Sequence, residues 1–255
     1  MIDRKSLGSR VTPIWVLKRL EPAYGEPSPR RQMNPLDELV LTMLSQNTSD
    51  INSHRAFQNL KRVFPKWDRV LRADQKKLAE TIRVAGLSEI RAARIQKVLK
   101  EIKSRFGSLT LASLSSVDST EAYEFLKSLT GVGPKTAACV MLFSLRKPFM
   151  PVDTHIHRVS LRVGLIEKKT TTEVAQQFFV ESVPEPKLYA FHINMIRHGR
   201  TICRARNPLC PKCVLNPRCR YYKELRSSAD RSASNTLMTD LPMNQSTGFG
   251  FDRDS

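Results

Sequence analysis

Between Pro35 and Leu145 apolar residues recur three and four positions apart: Leu36, Leu39, Val40 and Met43, and later Ile95, Val98, Leu99 and Ile102. That spacing places them along one face of a helix of 3.6 residues per turn, so the stretch predicts a chain of amphipathic helices. Period-two alternation is scarce. Turn signals such as Phe64-Pro65 and Phe106-Gly107 separate segments of helical length. An all-α fold is therefore expected. The opening stretch to about Met33 is rich in Pro and Arg and predicts one helix around Ile14 to Leu20, broken at Glu21-Pro22. After Leu225 the periodicity is lost in a run of Ser, Asn, Asp, Gly and Met, which predicts a disordered tail over 226–255. No internal repeat is visible.

Length and charge turn this helical chain toward function. A chain of 255 residues can bury a substantial core. It carries 42 Lys and Arg against 24 Asp and Glu, a formal net charge of +18, and an excess of that size points to a polyanionic partner such as nucleic acid. The tail does not contribute: Arg226, Arg231 and Arg253 face Asp230, Asp240, Asp252 and Asp254, so the basic surface belongs to the part expected to fold. No apolar run approaches the roughly 18 residues of a membrane span, and the start lacks the apolar core and cleavage site of a signal peptide. The expectation is an intracellular protein, of the cytoplasm or nucleoid if prokaryotic, with no membrane partner.

The segment from Leu129 to Ala138, LTGVGPKTAA, reads as helix, tight hairpin, helix. Its two glycines permit conformations closed to other residues, and Pro134 suits the first position of a new helix. A turn of this kind exposes backbone N–H groups at a helix N-terminus, where a phosphate can be held without any base contact. An ordinary helix–helix turn has the same outline. Lys135 sharpens the reading, because a cation in the first helical turn opposes the positive end of the helix dipole. A lysine whose charged form is disfavoured by dipole and burial can present a neutral amine as nucleophile, although contact with a phosphate is the simpler role. Farther on, Pro151-Val152-Asp153-Thr154-His155-Ile156-His157 opens another helix with Asp153 placed as its N-cap. A capping carboxylate can still turn its second oxygen toward a cleft. His155 is a candidate for facing DNA, His157 a surface or capping residue, and Cys139, alone in an apolar run, a buried core residue.

The other four cysteines, Cys203, Cys210, Cys213 and Cys219, follow a C-x6-C-x2-C-x5-C spacing. In a reducing compartment such a group points to metal ligation rather than disulfides. Four thiolates suffice for one [4Fe-4S] cluster. Zinc is the alternative, but structural zinc sites more often pair two short C-x2-C knuckles and this loop has one. From Arg204 to Lys223 the loop also carries Arg204, Arg206, Lys212, Arg218, Arg220 and Lys223 with no acidic residue, charge that can offset an anionic cluster or face phosphate.

Taken with Val152-Asp153-Thr154-His155, the hairpin segment resembles the signatures of the endonuclease III family of helix-hairpin-helix glycosylases, over about residues 35 to 223. The resemblance implies that Lys135 is the catalytic lysine, Asp153 the essential carboxylate, and the four cysteines the ligands of a [4Fe-4S] cluster. It implies two helical lobes flanking a DNA-binding cleft: a six-helix barrel over 29–147, with the hairpin motif at about 123–145, and a cluster domain joining 1–28 to 148–225. It also implies DNA contacts from Gln46, Asn47, Thr48, Gly131, Val132, Gly133 and His155. Leu44 to Asp50 is similar to the loop that fills the gap left by an extruded base, yet Asn47, not Gln46, falls opposite the family's wedge glutamine. The implied function is a base-excision glycosylase with AP lyase activity, acting as a monomer on double-stranded DNA with oxidised pyrimidines. Two alternatives stand beside it: a mismatch-type enzyme removing thymine, uracil or a modified cytosine, and a noncatalytic DNA-binding module. Adenine glycosylases of the family lack this lysine and carry a further C-terminal domain for which the tail is too short.

Overall fold

Most helix starts are written into the chain as a polar cap followed by an apolar stripe. Thr12 opens α1 (Pro13–Tyr24) by accepting the N–H of Trp15, and Asn34 opens α2 (Pro35–Ser45) by accepting that of Leu36. Ser49 caps α3 (Asp50–Val63) and Asp118 caps α7 (Ser119–Ser128) in the same way, each satisfying an orphan N–H of the first turn. Between α3 and α7 lie α4 (Trp67–Arg72), α5 (Gln75–Thr81) and the long α6 (Ser88–Phe106), which ends at Gly107 in the left-handed conformation. Beyond the hairpin come α8 (Pro134–Cys139), α9 (Thr154–Val163), α10 (Thr172–Ser182) and α11 (Leu188–Thr201). A last helix covers 220–228. The computed structural model describes residues 11–228, and among these there is no strand. The first three residues of the expected disordered tail are helical, and the rest of that tail lies outside the described residues.

One expectation fails at Pro22. Helix α1 does not stop at Glu21 but runs through the proline to Tyr24. The carbonyl that loses its partner belongs to Lys18, an exposed residue where water can replace the missing N–H. Gly25 then closes the helix by donating to the Glu21 carbonyl.

The buried apolar residues form two cores. One is enclosed by α2 to α8 and contains Leu39, Leu44, Leu60, Leu99 and Leu126. The other gathers Val16 and Leu20 of α1, Ile156 of α9, Phe179 of α10 and Phe191 of α11, with Leu215 and Cys219 from the cysteine loop. A fully buried Leu or Phe contributes roughly 2 kcal/mol by removal from water. Helix α8, continued as a π-turn over Val140–Ser144, serves both cores. Ala137, Ala138, Val140 and Met141 pack into the first, while Cys139, Leu142 and Phe143 pack into the second. The segment that begins at the hairpin is thus clamped on two sides. Among the described residues no helix is long and apolar enough to cross a membrane.

A candidate active-site cleft and a cysteine cage

The hairpin is fixed from below. Glu101 on α6 accepts both the N–H of Thr130 at 2.9 Å and its hydroxyl at 2.5 Å. Gly131 has φ +77, and a Cβ there would meet Arg94 Cδ at 3.3 Å, so glycine is needed. Gly133 differs from the expectation: its backbone is extended, a shape any residue adopts, and a Cβ would meet nothing within 4 Å. The space above Gly133 is therefore left open by the protein. Val132 is engaged by the protein itself. Its side chain is buried in the first core and its N–H donates to the Leu129 carbonyl, which leaves its own carbonyl as the group a ligand could meet. The N–H groups of Gly133, Lys135 and Thr136 have no internal partner and mark the open end of α8.

Lys135, in the first turn of α8, and Asp153, before α9, line the same two cavities: an open cleft of about 1120 Å³ and an inner one of about 330 Å³. Ser45, Asp50 and Arg200 line both as well. Asp153 does cap its helix, accepting the Ile156 N–H at 2.8 Å through Oδ1, and among the described residues Oδ2 has no partner. Arg200 donates to Asp50 at 2.7 Å, joining α11 to α3, and this bond holds the Asp50 carboxyl below its usual range. Inside, Arg30 Nη2 donates to both carboxylate oxygens of Glu38, at 2.5 and 2.6 Å. Burial pushes its carboxyl up and Arg30 opposes the shift. Cys139 is buried against the inner cavity, which pushes its thiol up to about 11 and leaves it an inert core residue.

Gln46, Asn47, Thr48, Gly133, His155 and His157 line the outer cleft. Gln46 is tethered to the hairpin, its Nε2 within 3.3 Å of the Thr136 hydroxyl and 3.4 Å of the Gly131 carbonyl. Asn47 is exposed with φ +53. His155 accepts from Arg158 at 3.1 Å through Nδ1. His157 reaches the Thr170 carbonyl, which ties it to the loop before α10. Nothing local in the chain marks the residue that shapes this rim, the buried Arg91. It donates to the carbonyls of Met43 and Gly86 at 2.6 and 2.8 Å and also bonds that of Gln46. Arg91 thereby ties the loop after α2 to the turn before α6, where Leu87 stands 63% exposed with φ +49.

The four loop cysteines line one common cavity beneath α9 and α11. Leu215 N–H faces Cys213 Sγ at 3.4 Å, His198 Nε2 lies 3.4 Å from it, and Arg162 points at Cys203 Sγ from 3.6 Å. Among the described residues no three His, Cys, Asp or Glu converge to share a single metal ion. Four thiols around one cavity, with N–H groups aimed at sulfur, are a donor set that suits a thiolate-bound metal group. Burial pushes Cys213 up to about 11, opposed by the Leu215 N–H, so ligation must displace protons. Of the six basic loop residues, Arg220 is held by Glu167 and two backbone carbonyls. Arg218 lies over the Trp15 ring, while Arg204, Arg206, Lys212 and Lys223 are exposed.

Comparison with known proteins adds to this geometry. Residues 40–185 match the family described as HhH-GPD superfamily base excision DNA repair protein. Endonuclease III of Thermotoga maritima is 30% identical over 210 residues, 80% of this chain and 94% of that protein. A candidate DNA glycosylase of Arabidopsis thaliana is 35% identical over 183 residues, and the chain spans 61% of its length. Among solved structures, a trapped endonuclease III–DNA covalent intermediate has a TM-score of 0.73 at 24% identity, covering 85% of this chain and all of that one. At that identity the likeness concerns the fold.

Proposed function

The chain belongs to the HhH-GPD superfamily of base excision DNA repair proteins, and from that premise we infer that it is a DNA glycosylase with AP lyase activity toward oxidised pyrimidines in duplex DNA. One observation carries the reading: Lys135 and Asp153 stand together where the open cleft meets the inner cavity. A base stacked in duplex DNA is out of reach of any side chain, so the nucleotide must rotate out of the helix. The cleft accepts the backbone, the free N–H groups of α8 hold a phosphate over Gly133, and the inner cavity takes the base. Lys135 Nζ, as the neutral amine, attacks the sugar C1′ while the glycosidic bond breaks and its electron pair leaves with the base. Asp153 Oδ2 stabilises the electron-poor sugar and handles the proton of the amine. Ring opening gives a Schiff base, from which β-elimination cuts the strand on the 3′ side.

Asparagine is nearly isosteric with aspartate and caps a helix as well, so Asp153→Asn separates the two roles. Stability should be unchanged and single-turnover base release should fall by roughly 10²- to 10⁴-fold. Release at the wild-type rate would assign Asp153 to capping alone.

Cys203, Cys210, Cys213 and Cys219 hold a [4Fe-4S] cluster in this reading, a cross-link that orders the basic loop against the DNA backbone. Protein purified without oxygen should be brown and contain iron and sulfide, and Cys210→Ser should lose both. Stoichiometric zinc without iron would overturn the assignment.

A further inference from the structure

The inner cavity holds a polar atom that the mechanism leaves unused. His192, on α11, is 3% exposed and lines the cavity with Lys135 and Asp153. Its Nδ1 lies 3.0 Å from the Pro151 carbonyl. A carbonyl can only accept, so Nδ1 carries the proton and Nε2 is left as a bare lone pair. Burial lowers the imidazole to about 4, partly offset by Asp153, so the ring is neutral near pH 7. Among the described residues Nε2 has no hydrogen-bond partner, and the ring lines the cavity. A lone pair that no protein donor uses is available to a ligand in the cavity.

Its neighbour on the same face of α11 is Tyr189. Both rings stand edge-on to Phe143, at centroid distances of 5.3 Å for His192 and 5.9 Å for Tyr189, so their orientations are fixed together. The Tyr189 oxygen accepts the backbone N–H of Arg30 at 3.1 Å, which leaves its own hydrogen free to donate. The wall of the cavity thus presents an acceptor beside a donor.

We propose that His192 Nε2 and the Tyr189 hydroxyl read the extruded base, and that they select a uracil-type ring by its imide edge, an N–H flanked by two carbonyls. His192 accepts the ring N–H, and Tyr189 donates to whichever carbonyl faces it. Cytosine can offer the pair only its N4 amine and N3 in one arrangement, whereas the imide has an acceptor on both sides of its N–H, and that N–H is a stronger donor to imidazole than an exocyclic amine. Sites built to hydrogen-bond a substrate N–H reject analogues that lack it far more strongly than apolar pockets reject a change of size. The inference rests on the glycosylase reading above, and the two fail separately.

The test uses the full chain with its metal. Single-turnover base release is measured on duplexes carrying 5,6-dihydrouracil, its N3-methyl derivative, and 5-hydroxycytosine, alongside cleavage of a preformed abasic site. The wild type should release dihydrouracil faster than either other base, by at least about tenfold over the methylated ring. His192→Phe should compress that preference to within about twofold and His192→Gln, which keeps an acceptor, should restore part of it. Abasic-site cleavage by His192→Phe should fall less than its release of dihydrouracil, since no base is present to be read. Equal release of the N3-methyl derivative, or of 5-hydroxycytosine, by the wild type would overturn the proposal without need of a variant. So would a His192→Phe enzyme with wild-type preference. A wild type that fails to cleave the abasic site would instead overturn the glycosylase/lyase reading itself.

Discussion

At the residue scale the structure separates two neighbours that the sequence leaves ambiguous. Gln46 is held to the hairpin by Gly131 and Thr136, whereas Asn47 is exposed in the left-handed conformation that its short amide tolerates. A gap in the base stack has to be filled by a side chain free to enter it, so we propose Asn47 for that role and Gln46 for positioning the loop. Asn47→Ala should weaken binding to an abasic-site duplex by roughly tenfold, equivalent to one or two hydrogen bonds, without altering thermal stability. A larger loss of affinity from Gln46→Ala in an equally stable protein would exchange the two roles. Lys135 and Asp153 were legible because each sits in a short motif whose local chemistry is unusual: a cation at a helix N-terminus, and a cap that also faces a cleft. The conformation of Asn47 was not, because its positive φ lies in a loop that Arg91 holds by the Gln46 carbonyl, 45 positions away.

At the element scale, hydrophobic periodicity and capping residues account for the helices, since both act within a few residues. The π-turn after α8 escaped that logic. Serving two cores with one segment requires Cys139, Leu142 and Phe143 to face away from Val140 and Met141, and only the assembled cores reveal the demand. Pro22 escaped it for the opposite reason, because tolerance of a proline depends on which side of the helix meets water. Close approach of helices is equally non-local. Gly199 lets α11 lie against α9, where an added Cβ would come within 2.9 Å of His155 Cβ and 3.4 Å of Val159 Cγ2. Gly199→Ala should therefore push α9 away and destabilise the fold by roughly 1–3 kcal/mol, in spite of alanine's better helix propensity. Denaturant unfolding measures the change; a midpoint equal to or above that of the wild type would show that the two helices separate freely.

At the scale of the whole molecule, function depends on where distant segments meet. The net charge of +18 announces a polyanionic partner, but not the position of the cleft, which draws on the ends of α2, α3, α8, α9 and α11. The inner cavity was illegible for the same reason: Glu38, Phe143, Tyr189 and His192 each read as ordinary residues of amphipathic helices until the two cores bring them around one space. Among the described residues Lys135 is the one lysine that lines both cavities, with Asp153 in the same lining, and the proposed reaction depends on what its amine does. Borohydride reduction of the protein on an abasic-site duplex tests it most directly. The wild type should become covalently trapped on the DNA, while Lys135→Ala should bind the same duplex and give no trapped species. Trapping of Lys135→Ala at the wild-type level would place the nucleophile on another amine and contradict the account.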